Sequence, residues 1–574
     1  MKTRKIYGAL AVALTATIAV GGCSASKTTS SSSTVEKQDS SEASKLVNVN
    51  KQDRGNLDQG GTLTLSIAQM PVNWNTKNGD GNLSEISSML QATDPMLFNY
   101  APDGTVSNNP DFLEKMPEVK EDGGKETVTY TLNPKATWND GSKIDASAFE
   151  ATWKSQRAPM DKEGYNNITN AGYEDIEKVV KGSGDNQVVV TFKKRFYPVA
   201  EVFKSLVHPK VGNDPKVFNE GFTNDQVHNE WRANAFVIDK VDATNKTVTL
   251  VPNPKWWGEK PMLDKIIYRQ MEDSAEIPAF KNNELDAVGV ANKSRYQQIQ
   301  GANGLDIRRG QRLADVVYNF NSKSQGLADV NVRKALWQAF DRTEWKKIRY
   351  DGLNWSEKDL GSNMYFAFQP EYQDNFPVKA SPAEAQKTLE GAGYTKGADG
   401  FFAKGGQKLS VKYTSFGDDP VTTALGQLAK KQGKDAGIDV QLDIRPSAAF
   451  SEAMQKKDFG IVLMAYTPDS NTPVTSVCQL MCSTNPNNLS FAGTKELDER
   501  IAKLGEITDG KAQAKEINAI EKEWFTATYG TLPVASGPVI TAYRKGISNI
   551  GPQLFQSLNM HWENVGWQKG TKKG

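Results

Sequence analysis

Few side chains in this sequence stand in the patterns that catalysis or metal binding requires. The three histidines, His208, His228 and His561, lie far apart, which leaves little for a histidine metal centre or a histidine general base. There is no Gly-x-Ser-x-Gly elbow, no His-Glu-x-x-His and no phosphate loop of the Gly-x-x-x-x-Gly-Lys-Ser/Thr form, so the usual signatures of hydrolases and nucleotide enzymes are missing. Carboxylate pairs are plentiful, but in a chain with 24% charged residues they carry almost no information about glycoside hydrolysis. Lys and Arg number 69 and Asp and Glu 68. Spread along the whole chain, they supply no concentrated positive field for nucleic acid. No metal, cofactor or nucleic-acid partner is therefore expected. Twelve tryptophans leave sugar stacking open, although a buried Trp is more often core than platform. Trp74 and Trp355, in Pro/Asn/Gly/Ser-rich surroundings, are the two placed for it.

The cysteines fix a compartment. Lys2, Arg4 and Lys5 precede an apolar run over residues 9–20, which at about twelve residues is too short to span the roughly 30 Å of hydrocarbon as a helix. It ends in Val20-Gly21-Gly22-Cys23, and small residues closed by a Cys resemble the lipobox of bacterial lipoproteins, in which that thiol is acylated and becomes the new N-terminus. Residues 1–22 are thus expected to be a cleaved signal, with Cys23 the lipid-anchored residue outside the cytoplasm. The Ser/Thr-rich stretch that follows has too few apolar residues to fold, and is expected to be a flexible tether over residues 23–57. Outside the cytoplasm, Cys478 and Cys482 read as a disulfide rather than a metal site, since zinc wants four ligands and no further Cys or His is near in sequence.

Positioning elements become regular from Gly61. Residues 62–67 alternate as Thr-Leu-Thr-Leu-Ser-Ile, a strand with one buried face, and residues 128–132 give another. Asp145 offers an N-cap, with Ile144 and Phe149 as a hydrophobic staple. Ser381-Pro382-Ala383-Glu384 combines a capping box with Pro at the first helical position. Then come a strand at 409–413, a helix with Val421, Leu425 and Leu428 on one face, a strand at 438–444, a short helix near 448–454 and a strand at 460–465. This alternation predicts a largely parallel α/β sheet covered on both faces. Ligands bind beyond the carboxyl ends of such strands, where the chain reads Tyr466-Thr467-Pro468-Asp469-Ser470-Asn471. On topology alone Asp469 is either a ligand anchor or the cap of a turn.

Several blocks, taken in order, resemble the extracellular solute-binding proteins of the oligopeptide family that serve ABC importers. They are Val128-Thr129-Tyr130-Thr131-Leu132 with Ala136-Thr137-Trp138-Asn139-Asp140-Gly141-Ser142, then Asn253-Pro254-Lys255-Trp256-Trp257 with Asn283-Glu284-Leu285-Asp286, then Asn319-Phe320-Asn321 with Asp329-Val330-Asn331-Val332-Arg333-Lys334-Ala335-Leu336. The match spans residues 61–562. It implies a two-lobed periplasmic-binding-protein type II fold, α/β in class, with an extra subdomain inserted in the first lobe. The expected boundaries are 58–315 and 534–574 for the first lobe, about 95–225 for the insert and 316–533 for the second lobe. The resemblance also implies hinge closure on a ligand, an oligopeptide partner, the membrane subunits of an importer, no enzymatic activity and a monomer. Oligosaccharide and metal-chelate binders of the same family are the alternatives within it, and a surface-anchored hydrolase is the alternative outside it. In the family's peptide binders an Asp after this second-lobe strand pairs with the peptide's α-amino group, and Asp469 falls on that position. The expected ligand-binding set is Asp469, Tyr466, Thr467, Asn471, Asn488 and Trp74. No counterpart of the residues that capture a peptide's carboxylate is found, and Arg232-Ala233-Asn234-Ala235-Phe236 departs from the Gly-rich stretch the family often carries.

Overall fold

A computed structural model describes residues 38–39 and 43–572; the signal run and Cys23 lie outside the described residues. One sheet carries the strands Phe236–Asp242, Thr247–Pro252, Lys265–Gln270 and Thr62–Ile67 in that spatial order, the last two parallel. Leu63 and Ile67 enter a core with Trp74, Ile266 and Trp562. Thr64 is buried as well, because its N–H donates to Asp286 Oδ2 at 2.8 Å, and the simple alternation breaks there.

A second sheet of four antiparallel strands, Glu118–Asp122, Lys125–Thr131, Gln187–Phe192 and Ile176–Lys181, has a core of its own. Helix Ala146–Gln156 starts where Asp145, its N-cap, accepts from the Ser147 N–H at 2.8 Å. Ile144 and Phe149 are both buried, and the Phe149 ring lies 4.9 Å from Tyr130 and 4.9 Å from Phe203. Such aromatic clusters hold a small layer together through area and edge contacts.

The third sheet runs Asp439–Arg445, Ser410–Phe416, Ile461–Tyr466, Asp315–Phe320, Thr531–Ala535. Its expected helices form: Pro382–Gly391, where Ser381 accepts from the Glu384 N–H, Pro420–Asp435, which buries Leu425 and Leu428, and Phe450–Lys456. The first three strands pair in parallel. Asp315–Phe320 is antiparallel to both neighbours, so Thr531–Ala535 points the same way as the first three strands and the sheet is largely parallel, as expected, with one reversed strand. Parallel neighbours need a crossover element between them, whereas this strand enters directly from the rest of the molecule.

That entry is half of a double crossing. Leu305–Gln311 pairs with Pro538–Arg544 in a separate small sheet, and within a few residues each continues into a strand of the third sheet. Gly537 turns one of these corners at φ +79°, and a Cβ there would sit 2.8 Å from Tyr350 Oη, so glycine alone fits.

The tether expectation is corrected at its C-terminal end. Leu46 is fully buried, the Asn48 N–H donates to Pro552 O at 2.8 Å, and Leu57–Asp58 pairs with Gly566–Gln568. Residues 43–57 are strapped to the body because backbone pairing and two leucines suffice where composition alone argues for disorder.

Candidate functional site

A cavity of about 1090 Å³ opens between the third sheet and the two others. One wall comes from the loop after Thr62–Ile67, notably Lys77 and Asp80, and from the segment after strand Gln187–Phe192, notably Glu201 and Lys204. The facing wall is the segment that leaves strand Ile461–Tyr466, with Tyr466, Thr467, Asp469 and Asn471, joined by Tyr365, Phe416 and Phe450. Four of the six expected ligand residues therefore border the cavity.

The other two do not. Trp74 is 1% exposed, packs in the first core and donates its indole N–H to Asn224 O at 2.7 Å. Asn488 is buried and donates to Cys482 O and Ala492 O, so it shapes a loop behind the wall, and Asn487 faces the cavity in its place. Trp355 is likewise core, with its indole N–H on Glu357. Among the described residues no tryptophan borders the cavity. Cys478 and Cys482 are bonded to each other across helix Val477–Met481, directly after the Asp469 segment.

Asp469 does not cap a turn. Its Oδ2 accepts from Lys204 Nζ at 2.7 Å, and its Oδ1 has only a long 3.5 Å contact with Ser476 Oγ. The side chain is 65% exposed because it borders the cavity. Burial pushes its carboxyl up, but the ammonium of Lys204, with help from Lys77, outweighs that and holds it below the usual range. Burial likewise works against the charge on Lys204, and Asp469 and Glu201 overcome it, raising the ammonium's pKa. Both groups are therefore charged near neutrality. Asp315 contrasts with this. It borders the cavity at 5% exposure with neither carboxylate oxygen hydrogen-bonded, and burial, reinforced by Glu521, pushes it well up, which favours the neutral form.

Lys204 is placed by the turn before it. Phe203 takes φ +55°, a left-handed conformation that is an outlier for a bulky residue, and its N–H donates to Tyr173 Oη at 2.8 Å. Lys204 O accepts from the Leu97 N–H, which fixes the direction of the side chain. Next to it, the buried Glu201 accepts from Ser470 Oγ and, at 3.2 Å, from Thr475 Oγ1. At Asp469 the two walls thus meet through one ion pair and two hydroxyl bonds on Glu201.

Comparison with known proteins agrees with this geometry. Residues 109–488 match the model of the bacterial extracellular solute-binding proteins, family 5. The chain belongs to that family, whose members bind solutes and are not enzymes. The oligopeptide-binding protein OppA of Mycobacterium tuberculosis is 29% identical over 522 residues, covering 89% of this chain and 86% of that protein. Among solved structures, the periplasmic EDTA-binding protein EppA superposes with TM-score 0.77 at 22% identity, covering 91% of this chain and 98% of that one. The oligopeptide-binding protein AppA of Bacillus subtilis, solved with a nonapeptide, does so with TM-score 0.76 at 19% identity, covering 89% and 100%. The fold is the two-lobed type II periplasmic-binding-protein fold with an inserted subdomain. The two corners at residues 312–314 and 536–537 link the third sheet to the strands Leu305–Gln311 and Pro538–Arg544.

Proposed function

We propose that this protein captures oligopeptides in the cleft and presents them to an ABC importer while lipid on Cys23 keeps it at the outer face of the cell membrane. The observation that carries the reading is a charged carboxylate, Asp469, bordering the cavity beyond the end of a central strand. Its Oδ1 has no close partner, and a carboxylate accepts about four hydrogen bonds, so a peptide ammonium can join Lys204 on the same group. A charge-assisted bond of that kind contributes roughly 1.5–3 kcal/mol. Every peptide supplies this ammonium whatever its side chains, and main-chain groups of the walls can pair with its backbone. The kinship with a peptide binder such as OppA points the same way. A glycan offers no cation to Asp469, and the two tryptophans that best suited sugar are in the core.

The test is calorimetry with free and N-acetylated peptides. Asp469→Asn weakens binding of the free peptide by about tenfold or more, since about 1.4 kcal/mol is already a factor of ten. Acetylation costs the unmodified protein a similar factor, and the two changes combine less than additively because they remove opposite ends of one contact. Equal affinity for both peptides in both proteins would overturn the reading. Cys23→Ser should release the protein from the membrane fraction; recovery with membranes after a salt wash would remove the anchor.

A further inference from the structure

The loop that follows strand Thr62–Ile67 is held down by asparagines. Asn73 donates to Asn219 O at 2.9 Å, and its Oδ1 accepts from the Asn75 N–H at 2.9 Å. Asn75 donates to Phe218 O and accepts from the Lys77 N–H, both at 3.1 Å. Asn78 accepts from Asp80 N–H and Asn166 Nδ2, while the Gly79 N–H donates to Asn166 O at 2.8 Å. At Gly81 the backbone passes so close that a Cβ would lie 2.2 Å from Asn75 O. A segment fixed at every second residue presents its side chains in set directions, which lowers the ordering cost of binding.

Lys77 is the charged side chain at the centre of this loop, and it borders the cavity. Its ammonium has no ion pair or hydrogen bond among the described residues, unlike Lys204 on Asp469 or Arg232 on Asp94. Burial, then the repulsion of Lys204, lowers its pKa to about 8, with Asp469 and Asp94 only partly opposing them. A half-buried ammonium left without a counter-ion loses part of its hydration with nothing to replace it, and Asp469 and Asp94 are each committed to another cation. A counter-charge for it can come from what fills the cavity.

We propose that Lys77 is the anion-anchoring residue of the cleft and receives a carboxylate of the bound peptide. This rests on the peptide reading above and adds to it the partner of the opposite sign. The ligand class is then a peptide that brings an ammonium to Asp469 and a carboxylate to Lys77. That carboxylate can be an acidic side chain near the amino terminus or the C-terminus of a short peptide.

The probe is an equimolar set of synthetic tetrapeptides, each with Glu or Gln at the second position and with a free or amidated C-terminus, measured by calorimetry and native mass spectrometry. For the unmodified protein, peptides with the engaged carboxylate bind about tenfold or more tightly than their neutral counterparts. The Glu/Gln comparison and the acid/amide comparison identify which carboxylate it is. Lys77→Met removes that preference and changes affinity for the neutral counterparts less than twofold, while Lys77→Arg restores most of it. Ligand-free Lys77→Met melts no lower than the unmodified protein, since the ammonium removed is half-buried and has no ion pair or hydrogen bond to lose. If the set binds without any carboxylate preference, or if Lys77→Met retains the preference, the anion site is overturned and the peptide reading stands. If no member of the set binds at all, both fall together.

Discussion

At the scale of residues, the cleft is organised by one cross-cleft pair. The position of Asp469 on the cavity is legible in the sequence because it follows a strand that alternates with helices, but topology leaves anchor and turn cap open and only the family resemblance favours the anchor. Lys204 and Glu201 are not legible, since nothing in Val202-Phe203-Lys204-Ser205 separates a cleft lysine from a surface one. The signal is three-dimensional: a left-handed turn at Phe203 and the crossing of two walls. Trp74 and Trp355 misled for the converse reason, because loop-like neighbours in sequence do not keep a large ring out of a core. The pair makes a testable statement about closure. Lys204→Met leaves Asp469 and Glu201 without their cation, and charge-assisted bonds of this kind contribute roughly 1.5–3 kcal/mol. The effect is smaller here because cavity water screens Asp469, whose side chain is 65% open. Closure is therefore expected to weaken by roughly 1 kcal/mol, read as weaker peptide binding with unchanged unfolding by urea. The pH dependence has a definite sign. Asp469 is depressed, so its contribution is present above the ordinary carboxylate range and is lost as pH falls through its lowered pKa. Lys204 is raised, so its contribution is present below the ordinary lysine pKa and is lost only as pH rises through a higher one. The pair is thus constant between about pH 5 and 9, and a Lys204-dependent loss of binding inside that window would contradict the assignment.

Among elements, the sequence is most readable where local rules act alone. The helices starting after Ser381 and Asp145 begin where their caps predict, since a cap satisfies orphan N–H groups whatever lies beyond. Strand direction is less readable, because the antiparallel Asp315–Phe320 follows from chain routing rather than from composition. The N-terminal strap is the largest departure. Its polar composition argues for a tether as far as residue 57, yet Leu46 reaches the core and Leu46 O lies where a Cβ on Gly310 would be 2.2 Å away, directly on a strand leading into the crossing. Leu46→Ala should destabilise the protein by roughly 2–5 kcal/mol, the usual range for truncating a buried leucine, as read from urea unfolding of the soluble body. A change below about 0.5 kcal/mol, typical of surface positions, would show that the strap is not part of the cooperative unit.

For the whole molecule, the two crossings and the cross-cleft contacts specify a particular motion. Two adjacent segments, with Gly537 at one corner, are the covalent links on which the third sheet can swing relative to the others, and contacts far from them bind the walls together. These contacts include the pair Lys204 with Asp469, the hydroxyls on Glu201, Ser451 donating to Gln69 at 3.1 Å, Lys194 with Glu506 at 2.8 Å and the Tyr197 N–H donating to Gly505 O at 2.8 Å. Most are polar and border water, so the unliganded protein is expected to divide between open and closed forms. A ligand that touches both walls shifts that division by its differential affinity for the closed form. Solution scattering should therefore show a smaller radius of gyration with saturating peptide than without it. In Asp469→Asn the same compaction should require about tenfold more peptide or greater, matching its loss of affinity. Tight binding with no change in the radius would mean that the cleft is fixed in its closed geometry, and the crossings would then serve as rigid struts rather than hinges.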